Sequence, residues 1–144
     1  MKLFMMLADY AAVADGKVTI VGGGWSLTGP QPTPFAIAGK IEVPWHQTNV
    51  KHQLKLELLD ADGTSVPVEG GVPLVVNVEF EAGRPPNIKP GTSIDFPFAL
   101  FFPPQPVPPG GQYVWQASID GETRDEWSLV FTMRPDAASG AQAV

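Results

Sequence analysis

The residues best suited to chemistry in this chain are its histidines. His46 and His52 are the only two. A zinc site takes three or four ligands, so two histidines supply too few. The chain has no cysteine, which removes thiolate ligands, disulfides and cysteine nucleophiles. The sequence therefore predicts no metal and no other cofactor.

A group of acidic residues near the C-terminal end is better explained by a turn than by catalysis. Two carboxylates are enough for glycoside hydrolysis. The Asp-Gly pair at 120–121 instead favours a solvated hairpin turn. No serine stands in the Gly-x-Ser-x-Gly pattern of a nucleophile elbow. We therefore expect a protein that is not an enzyme. The acidic residues are Asp120, Glu122, Asp125 and Glu126.

Two glycine-containing motifs look like ligand loops but lack essential members. Gly22-Gly23-Gly24 suggests a phosphate cradle, yet no helix and no Lys-Ser or Lys-Thr pair follows it. A strand bulge is the better interpretation. Asp60-Ala61-Asp62-Gly63 begins like a calcium loop, but Gly71 stands where the last ligand should be Glu. This second motif predicts a tight turn.

Tryptophan offers the remaining route to ligand binding. Trp115 and Trp127 alternate with other apolar residues, which predicts that both lie in the core. Trp25 and Trp45 lie near strand ends and are better candidates for exposure. If the protein binds a small molecule or a glycan, we expect Trp25, Trp45 and His46 to contact it. The proline-rich segments 29–34 and 103–111 would complete such a site.

Strands must position these residues, because apolar residues recur with period two along most of the chain. Only segment 9–16 is predicted to form a short helical turn. Eight or nine strands with frequent turn signals predict an all-β, antiparallel, immunoglobulin-like β-sandwich. We expect its core to include Ile37, Leu56, Val78, Phe98, Trp115 and Phe131. The predicted strands span 2–8, 17–27, 35–43, 50–59, 64–68, 72–81, 92–102, 113–119 and 127–133.

Length and charge limit the classes of partner. The 144 residues, of which 44% are apolar, predict one domain over 1–134 and a flexible tail over 135–144. A net charge of −6 with only nine Lys and Arg disfavours nucleic acid and anionic membranes. The apolar run before Asp9 is too short for a secretory signal. We therefore expect a cytoplasmic protein.

The outer strand faces are not uniformly polar, which predicts association. If their strands lie near one another, five apolar residues form a stripe on one sheet, and such a stripe usually marks an interface. The predicted function is a non-enzymatic binding or assembly module for an unknown protein partner or for itself, as a homodimer or higher oligomer. The alternative is the small-molecule or glycan site described above. The five residues are Val21, Val75, Phe101, Val114 and Val130.

Several motifs also carry a family resemblance. Segments 108–115 and 118–122 resemble the last hairpin of many bacterial immunoglobulin-like sandwiches. Together with Leu7–Ala11, Asp15–Lys17 and Gly22–Trp25, they make the chain similar to an uncharacterised family of short, mostly actinobacterial proteins. The similarity extends to Met133, and its motifs are turns, bulges and core aromatics. The family has no assigned activity, so the resemblance implies the fold and no functional residue.

Overall fold

The alternating segments form nine strands in a computed structural model of the chain, which describes residues 1–67 and 71–136. A 3₁₀ turn, Trp45–Gln47, connects β4 to β5. The strands are β1 Lys2–Ala14, β2 Lys17–Gly23, β3 Leu27–Thr28, β4 Phe35–Val43, β5 Lys51–Asp60, β6 Val75–Glu81, β7 Ile94–Phe102, β8 Gln112–Ile119 and β9 Glu122–Met133.

The strands form two sheets. The four-stranded sheet has the order β2-β1-β4-β7, and the five-stranded sheet has the order β3-β9-β8-β5-β6. All neighbours are antiparallel except β3 and β9, which are parallel. The predicted all-β sandwich is therefore confirmed, whereas its immunoglobulin-like character stays a prediction.

Side chains from both sheets fill the core between them. Five of the six predicted core residues are buried: Ile37, Leu56, Phe98, Trp115 and Phe131. The sixth, Val78, is half-buried and packs against the same cluster. Trp127 is buried as predicted. Each buried side chain of this size contributes roughly 1.5–3 kcal/mol to folding.

The predicted helical turn over 9–16 is wrong. β1 runs on to Ala14, and Asp15-Gly16 connects it to β2 in a tight hairpin. The φ angles of Asp15 and Gly16 are 52° and 70°, the left-handed values that a two-residue hairpin turn requires. Pairing across the hairpin, including Val13 with Val18, overrides the helical preference of the alanines.

The β1–β2 hairpin folds back over the outer face of its own sheet. Ala36 and Ala38 on β4 are fully buried, although their side chains face away from the main core. Ala11, Val18 and Ile20 of the hairpin pack against them. Small side chains allow this close approach, so part of the outer face is closed by the chain itself.

Two other predicted segments differ from the structure. The strand predicted over 17–27 ends at Gly23, and residues after it cross to the other sheet, where Leu27 pairs with Thr132. The predicted bulge at Gly22–Gly24 is therefore the start of a crossover, with positive φ at Gly22 and Gly24. Segment 64–68 makes only isolated bridges at Ser65 and Pro67, and position 68 lies outside the described residues. So does the predicted flexible tail from residue 137 onward.

Candidate functional site

The two tryptophans predicted to share a ligand site lie at opposite ends of the sandwich. Trp25 packs against Phe35, the first residue of β4, with ring centroids 6.4 Å apart. Trp45 follows Val43, the last residue of that strand. A strand of this length spans about 26 Å at its usual rise. The structure therefore does not assemble Trp25, Trp45 and His46 into one site.

Trp25 lies beside a small cavity at one end of the molecule. The cavity measures about 40 Å³, and both proline-rich segments line it through Pro32 and Val107. Trp115 and Phe131 contribute from the core side. Within the described residues, the buried indole nitrogens of Trp25 and Trp115 have no hydrogen-bond partner. The cavity is thus apolar, with two unsatisfied donors among its lining residues.

Trp45 has a face covered by an arginine rather than free for a ligand. The Arg84 guanidinium carbon lies 3.6 Å from the centroid of the Trp45 ring. Arg84 also donates hydrogen bonds to Thr48 Oγ1 and to the Trp45 carbonyl oxygen. His46 is exposed beside this stack. The cation–π contact ties the 3₁₀ turn to the segment after β6.

The other histidine, His52, is buried on β5 and joins this strand to the 3₁₀ turn and to the β8–β9 turn. Its Nδ1 lies 2.6 Å from Asp120 Oδ2, and its Nε2 lies 2.8 Å from the Gln47 carbonyl oxygen. Asp120 Oδ1 accepts a hydrogen bond from the Gln53 amide. Both ring nitrogens face acceptors, so the arrangement favours the doubly protonated imidazolium.

These contacts shift both pKa values in the direction that keeps the pair charged. Burial lowers the pKa of His52, but its bonds to the Gln47 carbonyl and Asp120 outweigh burial and raise it above the usual 6.5. Partial burial raises the pKa of Asp120, but the Gln53 amide and His52 bring it below 3.8. The pair fixes the β8–β9 turn, where Asp120 has a φ of 50°. This is a structural role, and sequence alone did not identify it.

The five outward apolar residues do not form one stripe, because their strands belong to different sheets. Val21 and Phe101 lie on the four-stranded sheet. Val75, Val114 and Val130 lie on the five-stranded sheet, where only Val114 and Val130 are direct cross-strand partners. The interface predicted from these residues is therefore wrong as a single surface.

A different surface, missed at the sequence level, is the lateral edge of β1. One side of β1 pairs with β4 over Lys2–Ala8. On the other side, β2 pairs only from Ala8 onward, and the Gly24 amide donates to the Leu7 carbonyl oxygen. Within the described part of the chain, residues 2–6 have no strand on that side. We call this stretch the open edge.

The pairing shows which backbone groups the open edge presents. The amide and carbonyl of one residue point to the same side of a strand, and the direction alternates along it. Since the Leu7 carbonyl points away from β4, the backbone groups of Leu3 and Met5 do so as well. The intervening Phe4 side chain is 49% exposed on the outer face of the sheet. The open edge thus presents two amides and two carbonyls next to exposed apolar side chains.

A groove begins at the open edge and crosses the outer face of the four-stranded sheet. It has a volume of about 530 Å³ and is lined by β1, by Ala38–Lys40 of β4, by Asp95 and Pro97 of β7, by the tip of the folded hairpin and by β9. Leu3–Met6 form one wall, Lys17 and Val18 belong to the hairpin, and Glu126 and Ser128 belong to β9. An unpaired strand edge of this kind is a template for another strand.

Metal and membrane sites have no counterpart in the described residues. Over 1–67 and 71–136, no three His, Asp or Glu side chains are grouped as a metal ion would require. In the same ranges, no helix is long and apolar enough to cross a membrane.

The chain is thus a two-sheet β-sandwich with an open strand edge. It belongs to DUF6941, a family of unknown function, whose sequence profile matches residues 3–132. No curated protein and no solved structure matches it.

Proposed function

We propose that this protein is a non-enzymatic binding module that accepts an extended β-strand at its open edge. The observation that carries this proposal is that, within the described residues, no strand pairs with Lys2–Met6 on the side that faces away from β4. Pairing with an added strand would satisfy the Leu3 and Met5 amides and carbonyls.

The composition of the other edges supports this assignment. Proteins protect edge strands with proline and charge. β7 contains Pro97, β6 contains Glu79 and Glu81, and the exposed start of β9 contains segment 124–126 with three charged residues. Between Leu3 and Leu7, β1 has neither proline nor charge. Among the edges of β1, β6, β7 and β9, the open edge is therefore the one that lacks these protections, and Val18–Gly23 of β2 lacks them as well.

The surroundings of the edge define the chemistry of the segment that binds. Phe4 and Met6 would contact alternate side chains of an added strand on the outer face, which favours apolar residues there. Lys17 and Glu126 border the groove with opposite charges, so its rim is polar. A cytoplasmic location is part of the proposal, supported by the cysteine-free composition.

Fluorescence anisotropy with a labelled peptide tests the proposal. The probe is a short peptide of alternating Val and Thr flanked by lysines, which favours extended structure. We expect saturable binding to the full chain. A control peptide with proline at alternate positions cannot donate the ladder hydrogen bonds, and we expect it to bind at least about tenfold more weakly.

A pair of matched variants shows whether the Val-Thr peptide binds at the open edge. Phe4→Asp places a charge beside the open edge and should weaken binding of the Val-Thr peptide at least about tenfold. Phe101→Asp introduces the same charge at a similarly exposed residue on β7 and should leave binding unchanged. Equal binding of both peptides, or equal effects of both substitutions, would contradict the proposal.

The cavity beside Trp25 supports a second candidate function, the binding of a small apolar molecule that carries a hydrogen-bond acceptor. Two buried indole N–H groups without partners are costly, and an acceptor oxygen would satisfy one of them. The volume of about 40 Å³ restricts the ligand to a few heavy atoms unless the proline-rich segments move. A glycan is not favoured, since Arg84 covers Trp45.

Nuclear magnetic resonance of the indole groups tests this candidate. Acetone and isobutene have the same shape, but only acetone has an acceptor oxygen. Acetone should shift the indole N–H resonance of Trp25 or Trp115 saturably, and isobutene should not shift it downfield. Trp127, which does not line the cavity, is the internal control. Identical responses to the two compounds would exclude an acceptor site.

A further inference from the structure

We infer that the strand bound at the open edge is the same edge of a second copy, so that the protein forms a symmetric dimer through β1. This inference rests on the proposed function, because it names the partner of that site. What favours a second copy is that β1 itself has the chemistry the edge accepts, because Leu3–Leu7 is apolar and contains neither proline nor charge. A two-fold axis beside Phe4 places each outward-pointing residue opposite the other.

The hydrogen bonds follow from the alternation along β1. In an antiparallel pair centred on Phe4, Leu3 of one protomer lies opposite Met5 of its partner, and Met5 lies opposite Leu3. These are the two residues whose amides and carbonyls face the open edge. Each opposed pair exchanges two hydrogen bonds in such a ladder. All four groups that each protomer presents at Leu3 and Met5 are then satisfied.

The side chains are also compatible with this pairing. The two Phe4 rings would be direct neighbours in a non-hydrogen-bonded pair, where side chains approach most closely. Lys2 of one protomer would lie opposite Met6 of the other. The result is a continuous sheet in which β7, β4 and β1 of one protomer are followed by β1, β4 and β7 of its partner. Phe4, 49% exposed in the single chain, would become covered.

A single-cysteine variant tests the arrangement directly, because the natural chain has no cysteine. In Phe4→Cys, the two Cβ atoms would be about 4.5–5.5 Å apart across the axis, close enough for a disulfide after a small adjustment. We expect oxidation to convert most of the protein to a covalent dimer on a non-reducing gel. Reduction should return the monomer.

The matched control is Tyr10→Cys. Tyr10 is 53% exposed and lies on the same strand, but it is paired with Val21 of β2 and stands outside the open edge. We expect Tyr10→Cys to cross-link at least about tenfold more slowly, at the rate of random collisions. A mixture of Lys2→Cys and Met6→Cys should form the mixed dimer faster than either variant alone, since these positions lie opposite each other in the inferred register.

The outcomes separate this inference from the proposed function. Fast cross-linking of Phe4→Cys and of the Lys2–Met6 mixture supports the dimer. Equal rates for Phe4→Cys and Tyr10→Cys contradict it. If the rates are equal and the Val-Thr peptide still binds with its proline control weaker, the edge accepts a strand from another protein and only the dimer is wrong. If the Val-Thr peptide also does not bind, the open edge has no binding role.

Discussion

The edges formed by β1 and β7 belong to the same sheet but present opposite chemistry. β4 separates them, and the pairing leaves alternate backbone groups pointing outward on each. In β7 these outward positions are Asp95, Pro97, Ala99 and Phe101, of which the first two are a charged residue and a residue without an amide. In β1 they are Leu3 and Met5, with Phe4 exposed between them.

This difference indicates that a ladder of hydrogen bonds along the outward side would be interrupted at Pro97 on β7 but not on β1. Proline within a sheet occurs where its missing amide would face away from the neighbouring strand, which is the position of Pro97. A strand that approached β7 would find no donor at Pro97, although the Ala99 and Phe101 amides point outward. A strand that approached β1 would find donors and acceptors at both outward residues, and we expect β1 to be the edge that binds a partner.

The largest effect is expected from the core that supports both edges. Phe98 is buried on β7 and packs between the sheets, so Phe98→Ala should lower the free energy of unfolding by about 3–5 kcal/mol. Equilibrium unfolding in urea measures this loss of stability. Because Phe98 lies two strands away from Met5 and presents no group to the open edge, the folded variant should still bind the Val-Thr peptide. A loss below about 1 kcal/mol would contradict the described register of β7.

A pH-dependent effect is expected at His52, which belongs to the other sheet. The stabilisation from the raised pKa of His52 is complete below its ordinary 6.5 and is lost as pH rises through the folded pKa. The stabilisation from the lowered pKa of Asp120 is complete above 3.8 and is lost as pH falls through the folded value. Stability from this pair should therefore be greatest between about pH 4 and pH 6.5.

Removal of the imidazole tests that expectation. His52→Gln should cost about 1–3 kcal/mol at pH 5, because it leaves buried polar groups without their partner. The difference from the natural protein should shrink at pH 9. Peptide binding at the open edge should be unaffected at pH 5. A cost that is the same at both pH values would show that His52 acts by packing alone.

A smaller effect, on association alone, comes from the two exposed phenylalanines. Phe4→Asp should weaken dimerisation at least about tenfold, or about 1.4 kcal/mol, because two carboxylates would face each other at the axis. Phe101→Asp should not change it. Sedimentation equilibrium of both variants beside the natural protein provides the comparison. A larger effect of Phe101→Asp would move the interface to β7.

The smallest effect is expected when the protection of β7 is removed. Pro97→Val restores an amide at an outward position of that strand and should add weak, concentration-dependent association beyond the dimer. Light scattering at high concentration measures the change. The double variant Phe4→Asp/Pro97→Val should keep only this weak association. If the dimer failed to form without Pro97, its interface would lie on β7 rather than on β1.

Local sequence signals predicted the strands and the core well, because alternation and turn chemistry act over a few residues. Asp120-Gly121 was correctly assigned to a turn, and Trp115 and Trp127 to the core. Segment 9–14 was predicted wrongly, since its alanines favour a helix locally and only pairing with β2 makes it a strand.

The candidate site was harder to predict, because it depends on contacts between distant parts of the chain. Trp25 and Trp45 flank one strand, so a count of residues along β4 could have placed them at opposite ends. The distribution of the apolar valines between two sheets required the strand order. The open edge depends on how far β2 runs along β1, which no local pattern reports. The run from Leu3 to Leu7, free of proline and charge, was the available signal.

Residue-resolved amide hydrogen exchange tests the central claim most directly. Leu3 and Met5 of β1 and Ala99 and Phe101 of β7 are the residues to compare, because their amides point outward from the same sheet. When the concentration rises about a hundredfold, mass action should slow exchange at Leu3 and Met5 and leave Ala99 and Phe101 unchanged. Exchange at Leu3 and Met5 that stays fast at every concentration would contradict the account.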